Sequence, residues 1–374
     1  MTANDAVPRP APQKKGSRLP ELDGIRGMAI IIVLLNHSFS APARHIAWLQ
    51  DTFAIGWSGV DLFFVLSGFL IGGILLDVKQ SSNYFKAFYA RRAFRILPLY
   101  YVWVGGYFLI AAFAGNPETW RSVPAYIFFL ENSLRISHGP LGIVWLSHLW
   151  SLCVEEQFYL VVPLAIRFLN RSWLVPILCT TIVMATVSRV CLHLYLPSHA
   201  AAQYMLTICR ADALAMGVLL AIAWRNESLK EKLLRHQGVI QGIVLLLLGA
   251  FLYLAIWNSS KLSLTMAAWG LTAVDAFFAG LITVALLFPA GAWAGICRWS
   301  FLAKMGRISF CFYLIHPTVN QLCHRVLLRE TEAADNWLSI AVTVLAAPLA
   351  YYLATLSWKY FEHPLLRRGH AFTY

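Results

Sequence analysis

Apolar runs recur along this chain near 24–41, 54–77, 96–115, 148–169, 172–194, 205–224, 237–257, 264–288, 305–326 and 337–361. At about 1.5 Å per helical residue, runs of this kind match the ~30 Å hydrocarbon core of a bilayer. In lipid, every backbone N–H and C=O must find its partner within the protein, so such runs fold as helices. The fold class expected is therefore an all-α polytopic membrane protein with about ten transmembrane helices. Composition agrees: 59% of residues are hydrophobic and only 13% charged. Soluble domains carry about twice that charge. The net charge of +12 then reports Lys- and Arg-rich cytoplasmic loops, and no nucleic-acid partner is expected.

One stretch, 122–138, is ambiguous. Ala125-Tyr126-Ile127-Phe128-Phe129-Leu130 is interrupted by Glu131, Asn132 and Arg135. If it does not span, both termini are cytoplasmic and most of the 30 Lys and Arg residues fall on the inner side. If it spans, the two sides become nearly equal. The positive-inside rule favours ten spans, with 116–147 as an outer loop. Residues 1–20 read as a disordered basic arm, 21–366 as one transmembrane domain and 367–374 as a cytoplasmic tail, with no appended soluble domain. The seven cysteines show no metal-ligand spacing and read as packing residues. No metal is expected.

Ionisable residues within the apolar runs carry the functional signal, because burying them in lipid is costly. Arg26, in Leu22-Asp23-Gly24-Ile25-Arg26-Gly27, lies eleven residues before His37. That spacing is about three helical turns, so the two share one face, roughly 16 Å apart. Asp61 and Ser67 interrupt Gly59–Leu70. Arg92 and Arg95 share a face in a basic segment ahead of a helix expected to begin near Pro98. They suit either a topology anchor or a phosphate site. His148, Ser151, Glu155 and Tyr159 form one polar stripe, and Glu156 projects about 100° away. Arg210 and Asp212 open a later span, and His316 precedes Pro317.

Depth sorts these groups. Counted along ten spans, His37, Asp61, Glu155 and Asp212 lie about 10 Å below the outer face, with His316 a little deeper. Arg26, Arg92 and Arg95 gather at the inner face. An inner cationic mouth suits the phosphates of a bulky donor. An outer-half imidazole oriented by a carboxylate, Glu155 first, suits general-base or covalent catalysis. Acyl transfer from a cytosolic acyl-CoA to a hydroxyl fits both. A buried histidine is also commonly just a satisfied helix contact. A reading from another class is a transporter or flippase with a proton relay of His37, Asp61, Glu155 and His316.

The chain resembles the acyltransferase-3 family of integral membrane acyltransferases. The resemblance rests on the Leu22–Gly27 stretch with the Arg26–His37 spacing, on Gly59–Leu70, on Arg92 and Arg95, and on Trp150-Ser151-Leu152-Cys153-Val154-Glu155-Glu156-Gln157-Phe158-Tyr159. Arg210 with Asp212, and Tyr313-Leu314-Ile315-His316-Pro317, complete it. Cys153 stands where Ser is common in the family. The resemblance implies O-acylation of a carbohydrate or glycolipid acceptor at a bacterial cytoplasmic membrane, with Arg26 and His37 essential. Some relatives carry a fused extracytoplasmic esterase-like domain. The site expected has His37, Glu155, Glu156 and Asp61 in the chemistry. Arg26, Arg92 and Arg95 would hold acyl-CoA, most simply acetyl-CoA. Trp150, Ser151, Arg210, Asp212 and His316 would support them.

Overall fold

The computed structural model describes residues 19–39, 53, 55–113, 117–138, 144–257, 260–329 and 336–374. All but the last two residues of the expected basic arm, and Arg44 in the first outer loop, lie outside the described residues. Ten long helices follow in order: α1 (Pro20–Phe39), α2 (Gly59–Asp77), α3 (Tyr84–Phe113), α4 (Trp150–Phe168) and α5 (Arg171–Tyr195). Then come α6 (Thr207–Trp224), α7 (Gln237–Trp257), α8 (Leu271–Leu287), α9 (Ser300–Leu327) and α10 (Trp337–Ser357). Among the described residues there is no strand, and nine helices are long and apolar enough to cross a membrane. The long helix outside that set is α9. It buries His316, Thr318, Asn320, Gln321 and His324, so its polar groups meet protein rather than lipid. His324 Nε2, for example, lies 2.9 Å from Thr343 Oγ1 on α10.

Residues 122–138 do not span. They form two helices of five and eight residues, Val123–Ile127 and Glu131–His138, or about 7 and 12 Å of rise. Their backbone is tied to the long helices. Tyr100 donates to the Tyr126 carbonyl at 2.8 Å, and Gln157 donates to the Phe129 carbonyl at 2.8 Å.

Two boundaries differ from the sequence reading. α3 begins at Tyr84 and runs through Pro98 rather than starting there, which sets Arg91, Arg92 and Arg95 on a rigid helix. Residues 367–374 dock on that helix instead of hanging free. Arg91 donates to the Phe372 carbonyl at 2.8 Å and lies 4.5 Å over the Tyr374 ring.

Glycines set the two closest helix contacts. A Cβ at Gly27 would overlap the Leu302 carbonyl, and one at Gly306 would overlap that of Asp23. The Leu22–Gly27 stretch is thus a contact surface that lets α1 lie backbone-to-backbone on α9. Gly68 and Gly217 do the same for α2 and α6. Small residues of this kind let membrane helices approach where lipid offers no hydrophobic drive. The lipid side is plain on α7, where Val239, Ile243, Leu245, Leu246, Leu252 and Ile256 are exposed.

Candidate active site

The contact of α1 with α9 brings His37 to His316. His37 Nδ1 lies 3.1 Å from His316 Nε2, and the rings are near parallel, 5.2 Å between centroids. The local sequence fixes the proton positions. Pro317 has no N–H, so the Tyr313 carbonyl four residues earlier loses its helical donor. His316 Nδ1 takes that place, 2.9 Å from the Tyr313 carbonyl and 3.0 Å from that of Phe312. A carbonyl only accepts, so Nδ1 carries the hydrogen. In the neutral ring His316 Nε2 then accepts, His37 Nδ1 donates, and His37 Nε2 keeps a lone pair. This is the arrangement a general base requires.

A third imidazole completes the group. His148 sits 6.2 Å from His37, 5.8 Å from His316 and 5.0 Å from the Tyr313 ring, centroid to centroid. The three rings do not converge as metal ligands. Among the described residues no group of His, Cys, Asp or Glu could hold a metal ion.

Next to the histidines lies a cavity of about 870 Å³, lined by Arg26, Arg92, Arg95, Ser67, Glu155 and Tyr159 among others. The three arginines come from α1 and α3 and are close enough to feel one another's charge. Glu155 from α4 faces them and reaches the Ser67 hydroxyl, which is 2.6 Å from Tyr159 OH. Ser151 and Tyr313 also line the cavity. Tyr313 OH lies 2.6 Å from Ser151 Oγ and donates to the His148 carbonyl at 2.6 Å. Tyr313 therefore touches both the cationic cavity and the histidine group.

The structure corrects the expected partner of His37. It is the His316 imidazole, not a carboxylate. Glu155 belongs to the arginine cavity, where it lies beside Ser67 and within charge range of Arg26, Arg92 and Arg95. Glu156 does not line the cavity, and it lies within charge range of Tyr101. Asp61 and Asp212 are spent elsewhere. Asp61 is ion-paired with Arg210, and Asp212 with Arg189 at 2.7 Å, all four side chains fully buried. Arg189 also donates to the carbonyls of Cys209 and Ala267 and to the hydroxyls of Thr186 and Thr272. Trp150 packs in the adjacent aromatic wall, 4.9 Å from Tyr204. Sequence reasoning passed over Arg189 and Asp275, and it named His148 in the polar stripe and Tyr313 in the stretch before Pro317 without placing either at the site. The signal for the first two was available, since each is an ionisable residue in an apolar run.

The sequence profile of an acyltransferase domain family, acyltransferase 3, matches residues 19–359. The chain belongs to that family. It is a multi-pass protein of the cytoplasmic membrane. Similar curated proteins include a peptidoglycan O-acetyltransferase OatA of Listeria monocytogenes, 30% identical over 94% of this chain and 56% of that protein. An O-acetyltransferase OatA of Staphylococcus aureus is 26% identical over 94% of this chain and 58% of that protein. The chain thus spans a little over half the length of these relatives. No solved structure matches it.

Proposed function

We propose that this chain is a membrane O-acyltransferase that moves an acetyl group from acetyl-CoA to a hydroxyl of a cell-envelope polysaccharide. The observation that carries the reading is the pairing of a three-arginine cavity with a lone-pair imidazole on the same helix. Arg26 and His37 are eleven residues apart, about 16 Å. A donor bound by its phosphates at Arg26, Arg92 and Arg95 must therefore carry its acyl group on a long arm. Acyl-CoA has that shape. In an acyl phosphate the carbonyl would sit beside the arginines and far from the base. A volume of about 870 Å³ falls in the range of a nucleotide-sized ligand site. The names of the relatives support acetyl as the acyl group and a polysaccharide as the acceptor.

In the reaction His37 Nε2 takes the proton of the attacking hydroxyl as its oxygen bonds to the thioester carbon. The carbonyl π pair moves to oxygen, giving a tetrahedral oxyanion. Its collapse breaks the C–S bond, and the CoA sulfur leaves with the proton from His37. His316 holds the His37 ring throughout. Tyr313 must swing from Ser151 for the thioester to reach the histidines.

The test is transfer of label from acetyl-CoA to polysaccharide by the purified protein. Transfer supports the reading; donor that neither binds nor reacts would overturn it and favour the transport alternative. The orientation with both termini cytoplasmic is tested separately, by accessibility of cysteines placed at Ser137 and Ser228. Ser137 should label from outside and Ser228 from inside. Labelling of both from one side would reject that orientation.

A further inference from the structure

His148 stands apart from its two neighbours. His316 is fixed by its own helix carbonyls and His37 by His316. His148 is buried, 5% exposed, and neither ring nitrogen has a hydrogen-bond partner among the described residues. Its backbone is held, because its carbonyl accepts from Tyr313 OH at 2.6 Å. Its ring nitrogens are unused. Leaving a buried polar group unpaired is costly, so such a group marks a place where a ligand completes the bonding.

The direction of that bond follows from the surroundings. The acceptors near the ring are the carbonyls of Tyr313 and Leu314, out of hydrogen-bonding geometry in this conformation. Carbonyls favour the tautomer whose N–H faces them, which leaves the other nitrogen as a lone pair. His37 Nε2 is likewise a lone pair. These two lone pairs lie on rings 6.2 Å apart. Close by, Tyr313 and Ser151 bond each other, and the Lys261 ammonium lies 4.2 Å over the Tyr204 ring.

We infer that His148 is an acceptor-binding residue, and that the acceptor is a sugar whose reacting hydroxyl has a second donor, hydroxyl or amide N–H, beside it. The reacting hydroxyl donates to His37 Nε2 and the neighbouring group to His148. The inference rests on the reading of the chain as an O-acyltransferase.

The experiment compares two matched acceptors with labelled acetyl-CoA: a methyl glycoside with adjacent hydroxyls, and its deoxy analogue lacking the neighbour. The wild-type protein should prefer the first by about tenfold or more in kcat/KM, since a hydrogen bond made at an otherwise unpaired buried group is worth roughly that factor. His148→Phe should remove the preference by lowering kcat/KM for the first acceptor by about tenfold more than for the deoxy analogue. His148→Asn, whose side-chain carbonyl can still accept, should keep part of it. Equal use of both acceptors by the wild type, or an equal loss on both in His148→Phe, would overturn the inference and leave acyl transfer standing. No transfer to either acceptor or to polysaccharide would overturn both.

Discussion

Two groups of ionisable residues differ in what they face: one is ion-paired across helices, the other borders a cavity. Around Arg189, the guanidinium meets one carboxylate, two carbonyls and two hydroxyls. The Thr272 hydroxyl returns to Asp212 at 2.8 Å. This cluster joins α5, α6 and the start of α8, while Arg210 and Asp61 join α6 to α2. Around the cavity the setting differs. Arg26, Arg92, Arg95 and Glu155 are only half-buried and line open volume. The residue types are alike. Ion pairs across helices mark the first group as a staple, even with Asp61 Oδ2, Asp212 Oδ1 and Arg210 Nε unpartnered, whereas the second group borders space that a substrate could enter.

The comparison breaks most sharply at His37. His37→Ala should lower turnover by about 10²–10⁴-fold, the usual worth of a general base, with the melting temperature in detergent unchanged. His37→Gln should be nearly as damaging. The double variant with His316→Phe should be little worse than His37→Ala, because groups acting as a unit are non-additive. Near wild-type turnover by His37→Gln would move the imidazole into the structural class.

Asp212→Ala should do the opposite. Stranding a buried arginine costs about 3–5 kcal/mol, read as a large fall in melting temperature and yield. Turnover per folded molecule should hold. A stable but inactive Asp212→Ala protein would erase the distinction between the two groups.

A smaller effect is expected at the cavity. Arg92→Ala with Arg95→Ala should weaken acetyl-CoA binding by about 10²-fold, since a hydrogen bond to a charged group contributes roughly 1.5–3 kcal/mol. Thermal stability should change little. Unchanged donor affinity would return these arginines to topology anchors. The smallest effect belongs to Glu155→Gln, which should slow transfer less than His37→Ala does, because Glu155 faces the arginines rather than the base.

Much of the architecture was legible from hydropathy. A bilayer imposes one length and one backbone solution on every span, and both are local properties. The sequence also singled out Arg26, His37, Arg92, Arg95 and His316 as ionisable groups out of place in lipid. The N-terminal extension of α3 was hidden because Tyr84–Arg95 is too polar to read as a span. Depth counting grouped His37, Asp61, Glu155 and Asp212, since distance along a helix is known before packing is.

Depth leaves open which face each helix turns to which neighbour. That choice was made by contacts far apart in the chain: His37 with His316 across 279 residues, Asp61 with Arg210 across 149. Gly27, Gly306, Gly68 and Gly217 admit the close approaches that create those pairs. The sequence by itself determined a helical membrane bundle with ionisable residues, arginines and histidines among them, inside its apolar spans. The tertiary structure alone decided that His37 answers to an imidazole, that Glu155 answers to arginines, and that Asp61 and Asp212 hold the bundle together. Span length and polarity are written residue by residue, whereas partnership depends on the rotation and crossing of whole helices.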